Sequence, residues 1–229
     1  MFIFVSVKDF RVLNKGTVQL FTNPVLEKMT RTPFAFPVTF FFLLAVAVII
    51  FFTENYYRSL PLMLLFFFSG MLSFTLIEYL MHRFVYHFPV KSERQKEIQY
   101  SIHGVHHEYP RDKDRLVMPP IISMTLALVF FFFFRFVLGD NGLPFFAGFS
   151  AGYSTYLIIH YAVHKMRPPK NFLRYWWKHH SLHHYHSVDS AFSVSFPLWD
   201  VLFGTMPGKI SHHHQDEMID QLRTDHYED

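Results

Sequence analysis

The sequence predicts an all-α, polytopic membrane protein with four transmembrane helices and a helical, histidine-rich cap on one side of the membrane. Three observations lead to this prediction. Half of the 229 residues are hydrophobic, 30 of them Phe, and the apolar residues are concentrated in four runs. The segments between and after these runs are polar and rich in His. Most of the Lys and Arg residues lie in three of those polar segments.

The chain begins with a segment that we do not expect to cross the membrane. Residues 1–35 mix apolar and basic residues and contain Pro24 and Pro33, which favours an interfacial segment. Met1 to Val7 is apolar but short, and no basic residues precede it, so we do not expect a cleaved signal peptide.

The four apolar runs predict four membrane spans, at about residues 36–52, 60–81, 119–138 and 143–163. The first has no charged residue over 17 positions, which at ~1.5 Å per residue is just long enough for a hydrocarbon core of ~30 Å. We therefore expect a membrane domain at 36–206, between the N-terminal segment and a polar tail at 207–229.

The distribution of Lys and Arg predicts the orientation in the membrane. Residues 1–35 contain 5 of them, residues 82–118 contain 7 and the chain from Lys165 onward another 7, whereas the two short turns contain only Arg58. Cytoplasmic loops are enriched in Lys and Arg, so all three long polar segments are predicted to be cytoplasmic. With four spans, this brings every His cluster to the same side.

Composition excludes some classes of partner and ligand. The 21 Lys and Arg barely exceed the 18 Asp and Glu, so the sequence does not indicate nucleic-acid binding. The chain has no Cys, and any transition metal must therefore be held by nitrogen and oxygen ligands.

Ten His residues form four clusters with spacings typical of metal ligands. The triplets have the spacing i, i+3 and i+4, and the second pair has the spacing i and i+4; both spacings place the imidazoles on one face of a helix. The spacing of five in the first pair does not, so a helix must end or bend there, or the two residues serve different metals. The clusters are His82 and His87; His103, His106 and His107; His160 and His164; His180, His183 and His184.

The number of imidazoles predicts two metal ions, since four or five neutral imidazoles satisfy one transition metal. Imidazole suits iron, zinc, copper or nickel, so the ligands alone do not identify the metal. We expect His179 and His186 to be structural, and His212 to His214 to be solvated.

Four further residues are candidates to support the ligands. Glu78 lies one turn before His82 and can accept the ring N–H that His82 does not use for a metal; a solvated carboxylate at a helix end is the alternative. Asp189 and Asp200 are weaker candidates for the same role. Tyr156, one turn before His160, is either a hydrogen-bonding partner or an interfacial aromatic residue.

Five segments together resemble the fatty acid hydroxylase superfamily. They are Glu78 to His87, His103 to His107, Asp114 to Pro120, His180 to Tyr185 and Trp199 to Thr205. The resemblance covers roughly residues 74–206. The segment from Asp114 to Pro120 is most similar to the fatty acid 2-hydroxylases that act on sphingolipid acyl chains.

This resemblance implies a function and a set of cofactors. All ten His would be ligands of a dimetal centre, with iron expected for activity and zinc as an alternative occupant. Dioxygen and two electrons would introduce a hydroxyl group beside the carbonyl of a lipid acyl chain. Relatives often carry a fused cytochrome b5 domain, for which the short N-terminal segment leaves no room. We therefore expect a separate cytochrome b5-like or ferredoxin-like electron donor.

Two other functions remain open at this stage. Sterol C4-methyl oxidation, desaturation and carotenoid hydroxylation would use the same ligands on the same scaffold. A His-rich metal transporter would instead need ionisable groups at mid-membrane depth, and the centres of the predicted spans contain none.

Overall fold

A computed structural model of the chain describes residues 12–57 and 59–208, and this part is helical, as predicted. Met1 to Val7, Arg58 and His212 to His214 lie outside the described residues, as does nearly all of the predicted tail. The α-helices of the described part are α1 (Pro24–Met29), α2 (Ala35–Asn55), α3 (Leu60–Leu80), α4 (Glu93–Gln99), α5 (Val105–Glu108), α6 (Pro120–Leu138), α7 (Gly142–Lys165), α8 (Arg174–Tyr185) and α9 (Leu198–Leu202).

Shorter helical turns of other types join some of these helices. Met81–Tyr86 and Tyr100–Gly104 are π-helical, and Lys113–Arg115 and Gly139–Asn141 are 3-10 turns. The first π-helical turn continues α3 directly, and the second joins α4 to α5. Three of the ten clustered His residues therefore lie within or at the end of π-helical backbone.

Three helical segments of the described chain are long and apolar enough to cross a membrane: Ala35–Asn55, Leu60–Tyr86 and Lys113–Lys165. The third is 53 residues long and contains both α6 and α7. The first two correspond to the first two predicted spans. The apolar runs of the sequence therefore do form helices of membrane-spanning length.

The described residues form two compact units. We call residues 12–20, 78–116 and 159–208 the histidine unit, and residues 21–77 and 117–158 the membrane unit. The histidine unit contains all ten clustered His residues, five from residues 78–116 and five from residues 159–208.

Within the membrane unit, α6 and α7 form an antiparallel hairpin. The ring of Phe134 lies 4.7 Å from that of Phe145, and the ring of Phe130 lies 4.8 Å from that of Phe149, so positions pair in opposite order along the two helices. Gly139, in the predicted turn, has a φ of 58°, a conformation that glycine adopts without steric cost.

Two glycines on α7 allow α3 to approach it closely. Gly148 and Gly152 are four residues apart, and a Cβ added to Gly148 would lie 1.8 Å from the carbonyl oxygen of Phe67. A Cβ added to Gly152 would lie 2.9 Å from Cβ of Phe74. Small residues spaced in this way are typical of helix contacts in membranes, where backbones pack directly against each other.

In the histidine unit, two tryptophans at the start of α8 orient that helix. Trp177 packs against Val163 of α7, and its indole N–H donates to the carbonyl oxygen of Met166 at 2.7 Å. The Trp176 indole donates to the carbonyl oxygen of Ser195 at 2.9 Å. Helix α8 is thus anchored on one side to the end of α7 and on the other to the segment that follows α8.

Candidate metal centre

The ten clustered His residues of the histidine unit form two groups of five. Within each group, one ring nitrogen from every residue lies within 4.8 Å of the others. Group one is His82, His87, His103, His107 and His183, and group two is His106, His160, His164, His180 and His184. Nine of the ten are buried, and His87 is partly buried.

Each His triplet contributes to both groups. His103 and His107 of the first triplet belong to group one, and His106 belongs to group two. The second triplet divides in the opposite proportion, with His183 in group one and His180 and His184 in group two. The face of α8 therefore lies between two adjacent sites, and the rings of His107 and His184 stack at 4.3 Å.

The spacing of five between His82 and His87 is accommodated by the π-helical turn. The backbone N–H of His87 donates to the carbonyl oxygen of His82 at 3.1 Å, the i to i+5 bond that defines a π-helix. This brings both residues into group one, with ring centroids 5.0 Å apart. The helix ends at Tyr86, between the two residues, as the first of the two predicted alternatives requires, and both residues lie in one group.

Nitrogen distances within each group fit a shared ion. In group one, Nε2 of His103 lies 3.1 Å from Nε2 of His82 and 3.0 Å from Nε2 of His107. In group two, Nε2 of His164 lies 3.2 Å from that of His160 and 2.8 Å from that of His180. Two imidazole nitrogens at ~2.0–2.1 Å from one metal, at right-angled to tetrahedral angles, are about 2.8–3.4 Å apart. Each group can therefore hold a metal ion.

Backbone carbonyls orient three of the imidazoles. The Nδ1 atoms of His82 and His183 donate to the carbonyl oxygens of Phe192, at 2.5 Å, and Ser190, at 2.7 Å. Nδ1 of His160 donates to the carbonyl oxygen of Leu116 at 3.0 Å. A proton on Nδ1 leaves the lone pair on Nε2, which is the atom that faces the other ligands.

Burial keeps the imidazoles neutral, as metal binding requires. Desolvation lowers the pKa of six of them well below the ordinary value, and the charges of neighbouring imidazoles lower it further. These six are His103, His106, His107, His180, His183 and His184. Both ring nitrogens of His184 are buried without a hydrogen-bond partner. An imidazole in this state is unfavourable unless another ligand, such as a metal, satisfies it.

Glu78 has a different partner from the one predicted. The carbonyl of Phe192 occupies the position beside Nδ1 of His82, and the Glu78 carboxylate accepts from the backbone N–H groups of Val194 at 2.6 Å and Ser195 at 3.1 Å. Glu78 therefore does not make the predicted direct contact with His82, but is connected to it through the backbone of residues 192–195. The alternative of a solvated carboxylate also fails, because Glu78 is buried.

Asp200 is fully buried and contacts His179 rather than a member of either group. Nε2 of His179 lies 3.0 Å from Oδ2 of Asp200. Burial raises the pKa of this carboxyl, but hydrogen bonds from His179, Thr205 and the Ser193 N–H outweigh that effect and bring the net pKa below its ordinary value. His179 therefore has a structural role, as expected, in holding Asp200.

The other predicted residues lie elsewhere. Asp189 and His186 are exposed. Tyr156 belongs to the membrane unit, where its ring stacks on that of Tyr153 at 6.2 Å and lies 6.0 Å from that of Phe74. Its surroundings there are those of an aromatic cluster.

Sequence reasoning missed the carbonyls of Leu116, Ser190 and Phe192. A backbone carbonyl has no residue-specific signature, so no sequence pattern could have identified them. A weak signal existed in the Ser-rich run from Ser187 to Ser195 directly after the last triplet, because such runs form loops whose backbone groups are available to other partners.

These features define a class of protein: an integral membrane protein of α-helices, with two adjacent groups of five imidazoles that can each hold a metal ion. The chain belongs to the fatty acid hydroxylase family, whose model matches residues 67–205, more than half of the chain. That match covers all ten clustered His residues.

Individual relatives share this part of the chain. The chain is 35% identical over 150 residues to the dihydroceramide fatty acyl 2-hydroxylase FAH1 of Arabidopsis thaliana, a match covering 65% of this chain and 63% of that protein. It is 39% identical over 145 residues to the fatty acid 2-hydroxylase of Rattus norvegicus, covering 61% of this chain and 39% of that protein. The chain thus spans less than two thirds of the length of these relatives.

A solved structure of full-length scs7p, with only the hydroxylase domain visible, has the same fold. The TM-score is 0.79 at 32% sequence identity, and the match covers 88% of this chain and 76% of that one. The likeness supports the helical architecture described above over most of its length.

Proposed function

We propose that the chain is a membrane-bound dimetal oxygenase that hydroxylates the acyl chain of a lipid at its 2-position. The observation that carries this proposal is the pair of five-imidazole groups in a chain of the fatty acid hydroxylase family. The reaction is R–H + O₂ + 2e⁻ + 2H⁺ → R–OH + H₂O. The names of the relatives, which include dihydroceramide fatty acyl and fatty acid 2-hydroxylases, support a sphingolipid or fatty acyl substrate.

We propose that all ten His residues are metal ligands and that iron is the active metal, although a set of nitrogen ligands also accepts zinc. When bound, the metal pair supplies the redox chemistry for activating dioxygen and cleaving an unactivated C–H bond, which acid and base side chains cannot supply. The protein holds the imidazoles neutral and fixes three of them through carbonyl acceptors. It also excludes water, since nearly all of the ligands are buried.

We propose four membrane crossings, with α6 and α7 as separate spans. A straight helix of 53 residues would be about 80 Å long, far beyond a hydrocarbon core of ~30 Å. The antiparallel ring contacts of α6 and α7 support a hairpin. With four crossings, the excess of Lys and Arg in the three long polar segments favours a cytoplasmic position for the His residues.

The two electrons of the reaction require a donor, and we propose a cytochrome b5-like or ferredoxin-like protein. An acyl lipid suits this arrangement because its tail can remain in the hydrocarbon while its polar end reaches the metal ligands. Dioxygen would then supply the oxygen atom of the new hydroxyl group.

Expression in cells that make no 2-hydroxylated lipids tests the proposal. With iron supplied, we expect 2-hydroxyacyl lipids to appear by mass spectrometry, with their hydroxyl oxygen labelled when the cells grow under ¹⁸O₂. His106→Ala and His183→Ala should each abolish the product, because each removes one ligand from a different group. His186→Ala is the matched control, since His186 is exposed, and should leave the product unchanged.

Two results would contradict the proposal. One is an unchanged lipid profile from protein that contains its metals and has a working electron donor. The other is oxidation of a sterol methyl group, an acyl chain at a different carbon or a carotenoid ring, which would assign the same centre to another chemistry of the superfamily.

A further inference from the structure

The segment from Ser190 to Ser195, between α8 and α9, supplies both carbonyl acceptors found for group one. The carbonyl of Ser190 accepts the ring N–H of His183, and the carbonyl of Phe192 accepts the ring N–H of His82. His82 and His183 come from opposite ends of the histidine unit's sequence. The orientation of two ligands of one group therefore depends on the position of this one segment.

The backbone N–H groups of the same segment are held by two carboxylates. Asp200 accepts from the N–H groups of Phe192 and Ser193, both at 2.9 Å. Glu78 accepts from those of Val194 and Ser195, at 2.6 Å and 3.1 Å, and also from the Ser195 hydroxyl. Four consecutive amides thus donate to two buried carboxylates, and such charge-assisted hydrogen bonds are stronger than neutral ones.

The conformation of Ala191 shows that the segment is constrained. Its φ is 57°, in the left-handed region that a residue with a Cβ rarely adopts. Ala191 is completely buried, and its N–H donates to the carbonyl of Thr205 at 2.8 Å. A conformation of this kind persists only where the surrounding structure imposes it, and the flanking bonds to Asp200 and Thr205 do so here.

Group two is oriented by a different part of the chain. The carbonyl that accepts the ring N–H of its His160 is that of Leu116, which precedes α6. Loss of the hydrogen bonds that Glu78 or Asp200 accepts should therefore affect the two groups unequally.

We propose that Glu78 and Asp200 are positioning residues for the metal of group one. They fix the Ser190–Ser195 segment, whose carbonyls in turn aim Nε2 of His82 and His183 at the metal. The inference rests on the metal binding put forward above and not on lipid hydroxylation. It predicts that weakening the hydrogen bonds of the two carboxylates lowers the affinity of the protein for one metal ion of the pair and leaves the affinity for the other unchanged.

Zinc release from the purified, zinc-loaded full chain tests this inference. A colorimetric chelator in excess reports the number of ions and the rate at which each one leaves. The wild-type protein should release two ions. In Glu78→Ala one of them should leave about 10- to 100-fold faster, because losing a residue that supports a ligand lowers metal affinity by about this factor, and the other should leave at the wild-type rate.

Milder variants keep the test informative if Glu78→Ala does not fold. Glu78→Gln retains one acceptor oxygen for the two N–H groups, and Ser195→Ala removes only the hydroxyl donor, so both should accelerate the same ion by smaller factors. Asp140→Asn removes a carboxylate of the membrane unit that pairs with Arg135 at 3.0 Å and should leave both rates unchanged.

Double variants identify the affected ion. His87→Ala removes a ligand of group one, so its remaining ion reports group two, and adding Glu78→Gln should not change the rate. His164→Ala leaves the group-one ion, and there Glu78→Gln should accelerate release. If Glu78→Gln accelerated the release of both ions equally, or of neither, the positioning role would be overturned but the dimetal proposal would not. A wild-type protein that binds fewer than two zinc ions would instead overturn the dimetal proposal on which it rests.

Discussion

The backbone N–H of His87 donates to the carbonyl oxygen of His82 at 3.1 Å, and the two rings lie 5.0 Å apart in the same group of five imidazoles. In an α-helix these two side chains would diverge, because five residues advance the chain about 140° beyond a full turn. The π-helical turn at Met81–Tyr86 removes that divergence. Short π-helical stretches are rare in proteins, but those that occur are often at functional sites. This one brings two His residues with a spacing unsuited to an α-helix into one site.

The division of the ten His residues predicts that single ligand variants lose different metal ions. His87→Ala should retain the ion of group two, His164→Ala should retain that of group one, and the double variant should bind neither. Loss of a ligand should weaken its own site by more than about 100-fold, since loss of a mere supporting residue costs 10- to 100-fold. Metal analysis of purified protein gives the stoichiometry, and the hydroxylated lipid gives the activity, which both single variants should lack.

His186→Ala provides a control for this experiment. His186 directly follows the same helix, but it is exposed and belongs to neither group. This variant should keep two binding sites. Loss of both ions from His87→Ala alone would show that the two groups are one cooperative site.

Acid should release the metals as the imidazoles compete for protons. Burial lowers the pKa of six ligands in the folded protein, whereas in the unfolded chain the pKa of His is about 6.5. Their contribution to stability is therefore fully present above about pH 6.5. It is lost progressively as the pH falls toward the folded pKa, because the unfolded chain binds more protons there. Metal binding adds to this dependence in the same direction, since only neutral imidazole is a ligand.

Metal content and thermal unfolding, measured between pH 8 and pH 5, check this expectation. Both should be nearly constant from pH 8 to pH 7 and should decrease steeply below about pH 6.5. A thermal midpoint that stayed constant down to pH 5 would contradict the lowered pKa of these imidazoles in the folded protein.

The helices and the grouping of some closely spaced His residues could be predicted from the sequence because both depend on local patterns. The charge-free run at 36–52 became the helix Ala35–Asn55, and the i+4 spacing of His160 and His164 does place both in one group. Apolar runs and ligand spacings depend on residues close together in the chain, so their consequences are visible without a structure.

The assignment of ligands to groups could not be predicted, because it depends on packing between distant segments. His103 and His106 are one turn apart but belong to different groups, because His103 lies with His82 and His87 whereas His106 lies with His160 and His164 of α7. Glu78 is 116 residues from the amide of Val194 that it accepts from. Its position one turn before His82 suggested a direct contact, and the loop that displaces this contact comes from the other end of the domain.

The close packing of α3 on α7 depends on Gly148. A Cβ at this position would lie 1.8 Å from the carbonyl oxygen of Phe67 and 2.7 Å from its carbonyl carbon, and both atoms belong to backbone that cannot rotate away. Gly148→Ala should therefore force the two helices apart, even though alanine is the better helix former. The expected result is a clear decrease in the thermal midpoint of the protein in detergent.

Gly208→Ala is the matched control, because a Cβ there meets nothing within 4 Å, and its midpoint should equal that of the wild type. If Gly148→Ala instead raised the midpoint, helix propensity would outweigh the contact, and the close approach of α3 and α7 would be incorrect.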